Sequence, residues 1–231
     1  MVIRFFIFIL SLFLFFGCTK DDIITEMKEK CIYDAIISDI DGNVYNTIII
    51  GTQFWMAENL KTTKYNNGTI IKECNDDSLW SVTTEPALCF FNSPVGNEAT
   101  SGYIYNGYAI DHKGLCPLGW HVPEDEEWVL LFETVGGVHI AGKMLKESGT
   151  DHWVSPNIGS TNEYCFSALP CSGRDYTGQF YNYNSFACWW TSTLHNNYYY
   201  TYRIFSIAPG VIKVTNQNKN YGYPVRCIKD K

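Results

Sequence analysis

Apolar residues follow two different periods along this chain. From Trp128 they recur at Leu131, Phe132 and Val135, the i, i+3, i+4, i+7 spacing of one helix face. Pro123 is a natural entry to such a helix, because its missing N–H would lack a partner there anyway. Gly136 and Gly137 stop the run. Ile140, Ala141, Met144 and Leu145 then share a second, shorter face, which Gly149 closes. The pattern predicts helices over about 124–135 and about 140–148. Elsewhere the apolar segments are short, rich in β-branched and aromatic residues, and separated by Gly, Asn and Ser, as strands are. "DIDGNVYNTIII" from Asp39 reads as a hairpin turning on Asp-Gly, and a strand follows through Phe54 and Trp55 to the turn at Asn66–Gly68. After Trp153 the strands are "EYCFSALP", "CWWTST", "YYYTYRIFSI", "GVIKVT" and "YPVRCIK".

Two stretches invite a chemical reading. The first is the Asp39 segment, which begins like a calcium-binding loop. Such a loop needs a bidentate Glu at its twelfth position, and this one has Ile50. The second is "GLCPLGWHVPEDEEW", Gly114 to Trp128. Its four acids fill the first turn of the expected helix, where the positive end of the helix dipole favours them by roughly 0.3–1 kcal/mol each. His121 has no partner at the spacing of a metal-binding motif such as H-E-x-x-H. The stretch reads as an architectural corner. The chain also lacks G-x-S-x-G, a P-loop and any C-x-x-C pair. No catalytic residue, metal ligand or cofactor follows from the sequence.

The N-terminus bears on compartment. Arg4 precedes an apolar run, Phe5–Phe16, too short for the roughly 20 residues that span a bilayer. That is the grammar of a secretion signal. It ends "LFFGC", which resembles the lipobox of bacterial lipoproteins. The resemblance implies a signal peptide over 1–17, lipidation of Cys18, and a membrane partner reached through that lipid anchor. Residues 18–31 are charged and free of aromatics, a tether. The acids close behind Cys18 resemble the surface-export signal of Bacteroidota lipoproteins, which implies an outer-membrane, cell-surface location. The formal charge of −7 argues against a nucleic-acid partner. Of nine cysteines, eight remain after Cys18, an even number that in an exported domain reads as disulfides. Eight cysteines allow 105 pairings, so spacing alone selects none.

"CPLGWHVPEDEEWVLL" resembles the signature of the Fibrobacter succinogenes major paralogous domain. Further blocks match in order: "DIDGNVYNTIIIGTQFWMAENLKTTKYNNGT", "YIYNGYAI", "AGKMLKESGTDHW", "TNEYCFSALPCSGRDYTGQF", "WWTST" and "YGYPVRCIKD". The resemblance covers most of 32–231. It implies an α+β, C-type-lectin-like fold of mixed short strands with the two helices, stapled by disulfides and distantly related to formylglycine-generating enzymes. It further implies a Cys116–Cys227 bridge, since the helix corner and the closing strand hold those cysteines in its two best-marked motifs. Cys165, Cys171 and Cys188 stand where the family has other residues, a local addition that suggests a bridge within the group. Functionally, the expectation is a non-catalytic ligand-binding or adhesion module with glycans as a candidate ligand. Tyr181, Tyr183, Tyr198 and Tyr200 are the candidate stacking aromatics. The alternatives are an envelope scaffold that binds a surface protein, or an oxidoreductase of the formylglycine-generating kind. The second cysteine that such an enzyme needs near Cys188 is missing, since the next is Cys227.

Overall fold

The computed structural model describes residues 33–90, 102–171, 173–181, 184–205 and 207–231. Its strands are β1 (Tyr33–Ser38), β2 (Val44–Ile50), β3 (Gln53–Met56), β4 (Lys72–Glu73), β5 (Ala87–Cys89), β6 (Ile104–Asn106), β7 (Trp120–His121), β8 (Gly173–Arg174), β9 (Phe180–Tyr181), β10 (Phe186–His195), β11 (Tyr198–Phe205), β12 (Val211–Gln217), β13 (Gly222–Tyr223) and β14 (Ile228–Lys229). Four short helices interrupt them: α1 (Asp77–Val82), α2 (Gly107–Ile110), α3 (Asp125–Thr134) and α4 (Ala141–Leu145).

The strands form three sheets. One has the order β1-β2-β3-β14-β7, the second β10-β11-β12, and the third β4-β5-β6-β13-β8-β9. Among the described strands only β4 and β5 pair in parallel. The expected α+β, C-type-lectin-like class is therefore incorrect. The described residues are mostly β, in three sheets, and the helices are minor pieces. The reason is visible at α4. It was expected to reach 148, but Lys146 is already extended, with φ −68° and ψ 143°. There it leaves the helix to form a bridge with Ala168. Glu147 donates to the Ala168 carbonyl at 3.1 Å, and Ala168 returns a bond to Leu145 at 2.9 Å. A distant strand-like segment captures the backbone before the helix can extend.

α3 occupies most of its expected span. The Glu127 carboxylate reaches back to accept the Glu124 N–H at 2.9 Å, which satisfies one of the orphan donors of the helix start. Gly136 and Gly137 end it at φ +107° and +98°, a region that costs glycine nothing. The apolar face of α3 enters an aromatic core. Trp128 lies 4.8 Å from Trp55, stacks on Trp189 at 5.7 Å and meets Phe166 and Tyr202 at 6.1 and 5.9 Å. Arg226, fully buried, lies over Phe166 at 4.2 Å and donates to Asn59 Oδ1 at 3.1 Å.

The Asp39 segment forms the turn between β1 and β2, with Ser38 opposite Val44. Its acids are occupied by protein donors. Asp39 accepts from the N–H groups of Asp41 and Asn43, both at 3.0 Å, and from Tyr45 Oη at 2.6 Å. Asp41 accepts from Thr63 N–H at 2.6 Å and pairs with Lys64 at 2.7 Å. The turn is closed by hydrogen bonds.

Candidate functional site

A cleft of about 760 Å³ opens beside the Gly114–Glu124 corner. Four parts of the chain meet there: the turn at Asn66, the loop from Ile110 to Val122, the β10–β11 pair through Ser192 and Tyr199, and Asp230 beyond β14. A disulfide between Cys116 and Cys227 fixes the wall, with the two Cα atoms 6.0 Å apart and 111 residues between them in sequence. Asn66 donates its N–H to the Gly114 carbonyl at 2.7 Å. Gly114 sits at φ +91°, and a Cβ there would come within 2.5 Å of Asn66 Oδ1, so the approach requires glycine.

His121 is the electrostatic centre of the rim. Ile228 pairs with it across β14 and β7, which brings Asp230 alongside. Its Nδ1 lies 2.6 Å from Asp230 Oδ1 and its Nε2 2.8 Å from Glu127 Oε2. The Glu127 bond is the largest influence on the ring. With help from Asp230, and against the opposing effect of burial, it raises the pKa from 6.5 to about 9. At neutral pH the ring is an imidazolium, and both nitrogens donate to carboxylates. Burial pushes Glu127 up, but the bonds from His121 and from the Glu124 N–H outweigh it and leave the carboxyl below its ordinary value.

A pH dependence follows. A folded-state His pKa above the unfolded one contributes stability that is whole below pH 6.5 and lost as pH rises through about 9. Melting temperatures measured from pH 6 to 10 should fall across that interval, and His121→Asn should flatten the fall. An unchanged slope in the variant would place the titration elsewhere.

Asp111, which also lines the cleft, accepts a short hydrogen bond from Tyr199 Oη and forms an ion pair with Lys219 at 2.5 Å. Burial, reinforced by this bond to a carboxylate, raises the Tyr199 hydroxyl well above its ordinary pKa, so it stays protonated and donates. Ser192 N–H donates to the Pro123 carbonyl at 2.8 Å, which ties β10 to the corner. Asp111, Glu124 and Asp230 thus converge on one concave surface with Lys113 and the His121 imidazolium. Leu118, 81% exposed, forms an apolar lip. Such a surface presents hydrogen-bonding and charged groups. Among the described residues no group of three or more His, Cys, Asp or Glu could hold a metal ion.

Cys116 lines the cleft, but Tyr181 and Tyr198, the candidate tyrosines whose side chains are described, lie in different sheets and outside it. Tyr181 belongs to the six-stranded sheet and is half-buried, with its hydroxyl 2.6 Å from that of Tyr223. Tyr198 lies in β11 of the three-stranded sheet and is 41% exposed. Tyr200 shares that strand, and Tyr183 lies outside the described residues, as do Cys18 and Cys31. Between Tyr198 and Tyr200 the strand alternation turns Tyr199 inward, and it is Tyr199 that enters the cleft. The bridge expected within Cys165, Cys171 and Cys188 does not link Cys171 to Cys188. Both are buried thiols, and the Cys171 sulfur faces the backbone of Cys188, accepting its N–H at 3.1 Å. Cys165 is disulfide-bonded. The sequence reading missed Asp111, Tyr199 and Asp230. The phase of the tyrosine run was the available signal for Tyr199. Asp230 carried none, being 109 residues from the histidine it holds.

The model of the Fibrobacter succinogenes major domain matches residues 48–229. No curated protein and no solved structure matches the chain. The matched span runs from β2 to β14 and contains both cysteines of the cleft disulfide, the His121 corner and the β10–β11 pair, so by this match the chain belongs to the Fibrobacter succinogenes major domain family.

Proposed function

We propose that the protein is a lipid-anchored surface module of the cell envelope that binds a hydroxyl-rich ligand, such as a glycan, in the cleft beside Cys116–Cys227, without catalysing a reaction. One observation carries the reading: Asp111, Glu124 and Asp230 converge in a single cleft whose walls are held by a disulfide and by paired strands. Vicinal hydroxyls donate readily to fixed carboxylates, and charge-assisted bonds of this kind are about twice as strong as neutral ones. The Leu118 lip offers contact to an apolar sugar face. The lectin-like fold no longer supports this reading; the cleft does.

A glycan array probed with the purified protein tests it. The expected result is a set of hits that survive a chelator and disappear in Ser192→Arg, which fills the cleft. Hits abolished by chelator alone, or unchanged in Ser192→Arg, would move the site elsewhere. Binding to no glycan, with retention on a surface protein, would favour the scaffold reading. The anchor is tested by Cys18→Ala, which should release the protein from the membrane fraction.

A further inference from the structure

Cys74 and Cys89 stand apart from this cleft, in the six-stranded sheet. β4 and β5 run in parallel with Lys72 opposite Ala87 and Glu73 opposite Leu88. One step further in this register, Cys74 comes opposite Cys89, and the Cys74 N–H continues the ladder by donating to the Leu88 carbonyl at 2.8 Å. In-register neighbours on parallel strands project to the same face, and strands lie about 4.8 Å apart. That is within the Cα separation of roughly 4.4–6.8 Å that a disulfide accepts. Both cysteines are thiols in the structure and share a small apolar cluster with Trp80, Ala87 and Ile104.

Their surroundings differ. Cys74 lines a cavity of about 330 Å³ walled by Leu79, Val82, Pro86 and Ala87. Cys89 is fully buried behind it. Arg174 holds the Cys74 end of the strand by donating to its carbonyl at 2.6 Å. The same guanidinium lies beside the Cys89 sulfur. Burial is the larger influence there and pushes the Cys89 thiol up to about 12, while Arg174 opposes it.

We propose that Cys74 and Cys89 are a dithiol site that closes into a disulfide by reaction with a disulfide oxidant entering the cavity at Cys74. In the first step Cys74, whose thiol burial raises against the pull of Arg174 and Lys72, loses its proton to solvent, and its thiolate attacks one oxidant sulfur. A Cys74–oxidant bond forms, and the second oxidant sulfur leaves as a thiolate that takes up a proton. In the second step Cys89 loses its proton and its sulfur attacks Cys74. The first oxidant sulfur is expelled and protonated. Two protein thiols are oxidised by two electrons, and one oxidant disulfide is reduced to two thiols. Arg174 stabilises the Cys89 thiolate that the second step needs. The closed bridge locks β4, an edge strand of two residues, to β5.

The test treats the purified full chain with oxidised glutathione, unfolds it with an alkylating agent present, and maps its peptides without reduction. The expected map links the Cys74 peptide to the Cys89 peptide, while Cys171 and Cys188 carry the alkyl label. Cys89→Ala should retain glutathione on Cys74, because the resolving thiol is gone. If that variant does not fold, the wild-type map decides alone. Alkylated Cys74 and Cys89 after prolonged oxidation, with Cys116–Cys227 intact, would overturn the proposal. So would a Cys74 link to any other cysteine.

Discussion

Replacing Cys116 and Cys227 together by alanine should lower the unfolding free energy by about 4–5 kcal/mol. The bridge closes a loop of 111 residues in sequence. The chain-entropy model gives about 4.7 kcal/mol for a loop of that order. Both residues are buried, so the variant also leaves a gap in the core that surrounding side chains fill only in part. A domain has a net stability of roughly 5–15 kcal/mol, so much of it disappears. The loss has a local consequence as well. The bridge holds the approach to β14 against the corner that leads into β7, and that pairing sets Asp230 beside His121. The variant should therefore also lose the pH dependence assigned to His121. Denaturant unfolding of wild type and double variant measures the first effect. A loss under about 1 kcal/mol would show that the bridge constrains little.

Arg174→Ala should cost about 3–5 kcal/mol, chiefly because it leaves carbonyl groups in the protein interior without a donor. The guanidinium is fully buried in β8 and stacks over Trp80 at 4.4 Å and Phe180 at 5.0 Å. It donates to the carbonyls of Gly178 at 2.7 Å, Cys74 at 2.6 Å and Asn75 at 3.1 Å, and to Asp77 at 2.8 Å. Without it, carbonyls from two distant parts of the chain lose their donor, at about 1–3 kcal/mol for each one left buried and unsatisfied. Asp77 is 47% exposed, so the ion pair itself contributes under about 1 kcal/mol. Asp77→Ala should consequently cost far less than Arg174→Ala. Arg174→Lys should recover little, because an ammonium cannot reproduce the planar fork. Equal losses for the alanine variants at 77 and 174 would transfer the effect from the carbonyls to the ion pair.

Part of this architecture is legible in sequence. The face at Trp128, Leu131, Phe132 and Val135 lies within the helix and its cap, because a ten-residue amphipathic segment carries its own period. The Asp-Gly turn after Asp39 is equally local. The family is legible too, because ordered motifs survive over most of the chain. The fold class is not. β4, β7, β8, β9, β13 and β14 have two residues each, too few to show any alternation, and they exist only through partners elsewhere. Trp120 and His121 become a strand because Ile228 and Lys229 lie beside them. Read locally, the acids of the corner have only the helix dipole to face, but in the structure they also take partners from elsewhere in the chain. Glu127 holds His121, and Asp125 accepts from Tyr202 Oη and Lys213, both at 2.5 Å. Those partners lie 77 and 88 residues beyond Asp125, outside any local pattern.

The proposed binding role depends on the cleft beside Cys116–Cys227 being the ligand seat. Amide chemical shifts of the isotope-labelled protein, titrated with an oligosaccharide that scores on the array, test this most directly. The account predicts saturable shifts clustered at Gly114, Leu115, His121, Val122 and Ser192, and their loss in Ser192→Arg. Shifts confined to the outer face of β11 around Tyr198, or to the six-stranded sheet around Tyr181, would contradict it.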